Sequence, residues 1–303
     1  MVACLGLPTV KSRLITVIYL DHNATTAVLP EVLESMMPYF TTEWGNPSSG
    51  YRFGSKVKSA VEKAREQVAA LLGAHTREVI FTGCATESNN AAIHAALKAN
   101  PSKRHIVTSA VEHSSVLNYC TALEKEGCGV TYLPVDRDGL LKVADLENAI
   151  TEKTAIVSLM WANNETGVLF PVEQIAQTCR ARGVLFHCDA VQAAGKVPID
   201  MQKVPVDYLS LTGHKFHAPK GVGALYVRRK APFSPFLHGG HQERSLRGGT
   251  ECVPLIVGMG SAGGQSRQAT YWQHHGQSAG RIEREAANRC LHPRSEHLGG
   301  RRR

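Results

Sequence analysis

Between residue 18 and about residue 230, short β-rich runs alternate with amphipathic helical stretches, and few architectures accept that order. The runs are VIYL (17–20), EVIFT (78–82), HIVTS (105–109), VTYLPV (130–135), AIVSLMWA (155–162), VLFHC (184–188), YLSLT (208–212) and GALYV (223–227). Helical periodicity fills 55–73, 87–100 and 171–183, and Gly73 and Gly183 stand where left-handed C-caps are expected. Nearly continuous apolar strands separated by helices predict an α/β domain, a mostly parallel sheet between helices. Ligands of such sheets sit beyond the carboxyl ends of the strands, so the residues that follow each strand carry the functional question.

The pattern divides the chain into an extension (1–17), a large domain (18–262) and a basic tail (263–303). The tail is poor in Leu, Ile and Val, and residues 264–303 hold eight arginines against three glutamates, +5 of the chain's +8. Such a segment cannot bury enough apolar surface to order itself, and disorder is expected there. It has no aromatic interleaving and no reading module, which argues against nucleic-acid binding. No run of 18 apolar residues is present, and the first 17 residues make a poor secretory signal, so no membrane span is expected. The eight cysteines form no CxxC pair and no zinc-type cluster, so no metal site is expected. Cys84, Cys120, Cys179 and Cys188 lie in or beside apolar segments and read as buried free thiols of a cytoplasmic protein.

Five strand exits carry polar groups. After EVIFT come small residues and a helix opening at Thr86, Glu87 and Ser88, which reads as a phosphate cradle or as a capping box. After HIVTS comes His113, able to stack on a flat ring or simply to pack. After SLMWA come Asn163, Asn164 and Glu165, which turn chemistry alone would explain. After VLFHC comes Asp189, followed by Gln192; a carboxylate there needs a cation or strong donors, or else serves as an N-cap. After YLSLT come Gly213, His214 and Lys215, the last either a solvated lysine or an amine doing chemistry.

Taken together, a phosphate cradle, an acid for a ring nitrogen, a stacking group, an amide near a phenolic oxygen and a lysine describe the demands of pyridoxal 5'-phosphate. A carboxylate at Asp189 would keep the pyridine nitrogen protonated and the ring an electron sink, while Lys215 would form the Schiff base. Burial and neighbouring positive charge would lower the lysine pKa from about 10.4 toward the reactive amine.

The segments YLDHNATTAVLPEVLESMMPYF, WGNPSS, FTGCATESNN, VEHSSV, MWANNETG, HCDAVQAAGKVPID, GHKFHAPKGVGALYVRR and GGHQERSLRGGTE resemble the class V aminotransferase-like cysteine desulfurases, most closely the nitrogen-fixation (NifS) type. The resemblance runs from about residue 17 to 262. It implies a pyridoxal-phosphate-dependent transferase of fold type I, a cytoplasmic homodimer that converts L-cysteine to L-alanine and an enzyme persulfide. An iron–sulfur scaffold protein would accept the sulfur. By motif, Lys215 is the Schiff-base lysine, His113 stacks on the pyridine ring, Asp189 pairs with its nitrogen and Gln192 bonds its phenolic oxygen. Asn164 lies beside cofactor and substrate. Ala85, Thr86, Thr212 and His214 bind the phosphate, with a threonine at 212 where the family more often has serine, and Thr250 reaches the phosphate of the neighbouring subunit.

The family's persulfide loop, which reads like SGSACSSG, and its carboxylate-binding arginine have no counterpart here, so the small domain is expected to be missing or replaced. Cys290, in ANRCLHP, lacks the small, flexible surroundings of that loop. Two other readings share the motifs: a selenocysteine lyase, and a non-catalytic remnant that binds the cofactor.

Overall fold

The computed structural model describes residues 18–267. In chain order the elements are α1 (Pro30–Met36), α2 (Pro38–Thr41), α3 (Arg52–Leu72), β1 (Val79–Thr82), α4 (Ala85–Ala99), β2 (His105–Ser109), α5 (Ser114–Lys125), β3 (Gly129–Leu133), α6 (Val143–Ala149), β4 (Thr154–Met160), α7 (Val172–Ala181), β5 (Leu185–Asp189), β6 (Tyr208–Thr212), β7 (Gly223–Val227) and α8 (Val253–Arg267). The seven strands form one sheet in the order β1-β7-β6-β5-β4-β2-β3. Strands β2 to β6 pair in parallel, whereas β7 runs antiparallel to both β6 and β1. The expected mostly parallel sheet between helices is therefore present, with one reversed strand near its edge.

Strand residues alternate between two apolar layers, as a pleated sheet requires. Ile156 packs with α4 and α5 on one face, through Ile93, Ala96, Val116 and Cys120. Val157 and Leu159 join the other layer with Val61 and Val68 of α3 and Ile175 of α7. β4, in the interior of the sheet, is buried at every position, which explains its uninterrupted apolar run. Helix α3 ends at Gly73, whose φ of 63° gives the left-handed cap, and Gly183 (φ 62°) serves α7 in the same way.

Two expectations change. The run at 17–20 makes no strand: Ile18 to Leu20 have no regular structure, and Ile18 is 82% exposed. The edge strands of the sheet are β1 and β3, and the run pairs with neither. The boundary expected at 262 falls inside α8, which packs against α3 so closely that a Cβ on Gly260 would lie 2.5 Å from Ala64 Cα. The extension at 1–17, and the tail from residue 268 with Cys290, lie outside the described residues. No helix among the described residues is long and apolar enough to cross a membrane, and no group of three or more His, Cys, Asp or Glu there could hold a metal ion.

Candidate functional site

The strand ends converge on a cavity of about 600 Å³. Ala85 and Thr86 reach it from the first turn of α4, His113 from the loop after β2, and Asn164 from the turn after β4. Asp189 and Gln192 come from the end of β5, and Thr212, His214 and Lys215 from the end of β6. Of the sequence-predicted residues only Thr250 lies elsewhere, exposed in the loop before α8.

The wall nearest α4 is a bare helix terminus. Cys84 is its N-cap and makes no side-chain cap bond, so the first backbone N–H groups keep their capacity for a ligand. Strand β7 passes directly beneath: a Cβ on Gly223 would lie 2.6 Å from the Cys84 carbonyl carbon, so the close approach demands glycine. Cys84 is exposed, contrary to its expected burial, because its loop forms this wall; Cys120, Cys179 and Cys188 are buried as expected. Thr212 also lines the cavity, but its hydroxyl donates to Val222 O at 2.9 Å, which commits its proton to the backbone.

Asp189 is 6% exposed. Its Oδ2 accepts from Asn89 Nδ2 at 2.8 Å and its Oδ1 from Val191 N at 3.0 Å, and both donors are neutral. Burial pushes its pKa up, and these bonds offset that only in part. A little deeper, Glu112 follows β2; burial raises its pKa to about 8, while its Oε1 accepts from Ser109 Oγ at 2.6 Å and Met160 N at 3.0 Å. Its Oε2 has no partner.

His113 caps α5: its Nδ1 accepts from Ser115 N at 3.1 Å, which leaves the proton of a neutral ring on Nε2. The residue is exposed, so the ring is open to a stacking partner. Burial, with Lys215 and Lys220 nearby, lowers the pKa of His214 to about 4, so this imidazole is neutral at pH 7. Burial likewise lowers the pKa of Lys215, against the opposing carboxylates of Asp21, Asp189 and Glu165.

The sequence reading missed the segment that crosses this site. Asn23 O accepts from Lys215 Nζ and, at 2.9 Å, from Gln192 Nε2, while Ala24 O takes a second bond from Lys215 at 2.9 Å. Thr26 ties the segment down by donating to His214 O through both N (2.9 Å) and Oγ1 (3.0 Å). Asn89, which links Asp189 to Ser115 Oγ at 2.8 Å, was missed as well, though its place on the buried face of α4 was a usable signal. The two asparagines of the NNETG turn divide the work. Asn163 Oδ1 accepts from Glu165 N at 3.0 Å and Thr166 N at 2.9 Å and holds the turn, whereas Asn164 faces the cavity.

The cavity therefore has an anion-seeking end at α4, a buried carboxylate with no cation in contact among the described residues, and an amine of lowered basicity. Pyridoxal 5'-phosphate matches that donor set, with a phosphate, a protonatable ring nitrogen and an aldehyde.

The comparisons agree with this layout. A family model described as aminotransferase class V matches residues 18–274. A cysteine desulfurase of Trichormus azollae is 58% identical over 247 residues, 82% of this chain and 62% of the relative. The cysteine desulfurase NifS of Azotobacter vinelandii is 51% identical over 252 residues, 83% of this chain and 63% of that one. The chain thus spans somewhat less than two thirds of the length of these relatives. Among solved structures, a NifS-like protein matches with a TM-score of 0.80 at 43% identity, over 82% of this chain and 69% of the other. A structure of SspA in complex with cysteine matches with a TM-score of 0.79 at 44% identity, over 81% and 72%. The fold, the convergence of strand ends and these likenesses together make the chain a member of the pyridoxal-phosphate-dependent class V aminotransferase family, on its cysteine desulfurase and NifS-like branch.

Proposed function

We propose that the cavity holds pyridoxal 5'-phosphate attached to Lys215, and that the reaction it serves is desulfuration of L-cysteine to L-alanine. The observation that carries this reading is Asp189, a buried carboxylate met only by neutral donors, in one cavity with an uncapped helix terminus and Lys215. When bound, the cofactor supplies an electron sink for the substrate's α-carbon.

The chain's own residues would divide the remaining tasks. The first N–H groups of α4, at Ala85 and Thr86, would bind the phosphate with His214, whose neutral ring can offer one N–H donor. Asp189 would keep a proton on the ring nitrogen, whose positive charge would offset the desolvation of the buried carboxylate. His113 would stack on the ring, with its Nδ1 held by the Ser115 N–H. Lys215 must attack as the neutral amine, and its burial favours that form. Gln192 would turn its amide from Asn23 O to the phenolic oxygen, and Asn164 would stand beside the substrate. Thr212 would bind the phosphate after releasing Val222 O. Thr250, exposed and outside the cavity, would serve the phosphate of a second copy in a homodimer. The sulfur would pass to an iron–sulfur scaffold protein in the cytoplasm.

A remnant that binds the cofactor without turnover is the second reading. It is favoured by the cysteines: Cys84 alone among the described ones lines the cavity, and it belongs to the phosphate wall. Turnover of L-cysteine against L-selenocysteine separates the desulfurase from a lyase, and absence of both turnovers with the cofactor bound supports the remnant.

The test of the shared core is chemical. Borohydride treatment of the protein loaded with pyridoxal phosphate should fix one cofactor per chain, on Lys215. A label mapped to Lys220 or Lys196 overturns the assignment. Lys215→Ala should abolish fixation while cofactor still binds through its phosphate.

A further inference from the structure

The loop that carries Thr250 touches the phosphate end of the site from outside. Arg247 Nε donates to Glu87 Oε1 at 2.8 Å and its Nη2 donates to Oε2 at 3.0 Å, a two-pronged pair in which the side chains are 23% and 13% exposed. Glu87 stands in the first turn of α4, and its Oε2 also accepts from Gly83 N at 2.8 Å. A carboxylate therefore lies beside the same helix terminus that would bind a phosphate, without taking up its first N–H groups. The terminus carries only about half an elementary charge, too little to hold two anionic groups.

Arg247 is not a surface residue that happens to reach Glu87. Four residues earlier, Glu243 is buried and accepts from Arg65 Nη1 and Nη2, each at 2.7 Å, and from Phe81 N at 2.9 Å. Residues 243 to 245 have φ of 46°, 59° and 65°, a left-handed run that non-glycine residues keep only where their surroundings force it. The anchor at Glu243 and this run fix where the following residues go, and they deliver the guanidinium to Glu87.

We propose that Arg247 is a positioning residue for the phosphate end of the site: it neutralises Glu87 and turns the carboxylate outward, leaving the free N–H groups of α4 to a dianionic phosphate. The proposal rests on the cofactor reading above. It adds that a pair outside the cavity sets the affinity for one part of the ligand, and it predicts a charge-dependent signature.

The experiment titrates the cofactor-free full chain with pyridoxal 5'-phosphate and, separately, with pyridoxal, which lacks the phosphate. Arg247→Met should weaken pyridoxal phosphate about tenfold or more at low salt, the scale of one uncompensated charge several ångströms from the ligand. Pyridoxal binding should be unchanged, and added salt should shrink the loss. Glu87→Gln alone should tighten pyridoxal phosphate several-fold, because the freed guanidinium then faces the phosphate. The double variant should return to within about threefold of the unaltered protein. Equal loss for pyridoxal and its phosphate, or no rescue by the second substitution, overturns the proposal. If Arg247→Met does not fold, Glu87→Gln decides alone: tighter phosphate binding supports the proposal, and unchanged or weaker binding overturns it. Failure of the unaltered protein to bind pyridoxal phosphate at all overturns the cofactor reading as well, whereas normal binding with normal variants overturns only this inference.

Discussion

Replacing Asp189 by asparagine keeps the side chain's shape and removes its charge, so the free and the loaded protein should respond in opposite directions. In the free protein Asp189 Oδ1 accepts from Val191 N, a bond an amide oxygen can keep. Its Oδ2 accepts from Asn89 Nδ2, a bond the new NH₂ cannot replace as it stands. The Oδ1 of Asn89 has no partner, however, so a flip of the Asn89 amide lets it accept from the new NH₂. The flip gives up the Asn89 bond to Ser115 Oγ, against which a buried charge has been deleted. Stability of the free protein at neutral pH should rise by roughly 1 kcal/mol, since a buried carboxylate met only by neutral donors is a net cost. For a domain of this size that is about 2–4 °C in Tm.

The sign with pH follows from the direction of the shift. Asp189 has its pKa raised in the folded state, so its favourable contribution is fully present below the unfolded-state pKa and is lost as pH rises through the folded-state value. The gain from Asp189→Asn should therefore be absent near pH 3 and grow as the pH rises. With cofactor the balance reverses. A carboxylate–pyridinium hydrogen bond is charge-assisted, worth about 1.5–3 kcal/mol, so the variant should bind pyridoxal phosphate about 10- to 100-fold more weakly. Thermal unfolding of cofactor-free protein across pH, paired with an absorbance titration of the cofactor, reads both effects. A variant that is less stable when free and binds the cofactor as tightly as before would refute the assignment of Asp189 to the ring nitrogen.

Three further measurements probe the same region. Glu112→Gln should stabilise the protein by on the order of 3 kcal/mol near pH 7 and by little at pH 4, because a carboxyl whose pKa is raised to about 8 loses its favourable contribution as pH climbs from its unfolded value; equal effects at both pH values count against its buried protonation. Iodoacetamide should alkylate Cys84 and Cys252, the exposed thiols among the described residues, and pyridoxal phosphate should protect Cys84 alone; protection of both or of neither contradicts a phosphate at the α4 terminus. Gly223→Ala should be strongly destabilising and weaken the cofactor as well, since its Cβ would sit 2.6 Å from the Cys84 carbonyl carbon; a stable variant with unchanged affinity means the two segments are not in rigid contact.

Most of the sheet and most of the cavity are visible in the sequence for one reason. Parallel strands buried on both faces write continuous apolar runs, and a fold that ends each strand at the ligand puts the polar residue that terminates the run into the site. Asp189 after VLFHC and His113 after HIVTS are of this kind. The reversed direction of β7 is not written that way, because GALYV is equally apolar in either orientation; only its short connection from β6 hints at a hairpin partner. The run at 17–20 misled for the complementary reason: apolar composition records a tendency to be covered, not a strand partner, and Ile18 to Leu20 pair with neither edge of the sheet.

The crossing segment at Asn23 was harder to see, and the cause is chemical. Its contacts to Lys215 and Gln192 are made by the backbone carbonyls of Asn23 and Ala24, which every residue type possesses, so no side chain marks the spot. Its anchors are a threonine hydroxyl and backbone N–H and C=O groups some 190 positions away in the chain. In the structure these carbonyls satisfy the same two groups, the Lys215 amine and the Gln192 amide, that the cofactor reading assigns to an aldehyde and a phenolic oxygen. Both would have to leave Asn23 O for the ligand. The segment therefore borders the polar edge of the site and gives the Lys215 amine and the Gln192 amide their partners. Cofactor affinity then measures a difference between two sets of hydrogen bonds, and residues with no side chain in the site contribute to it.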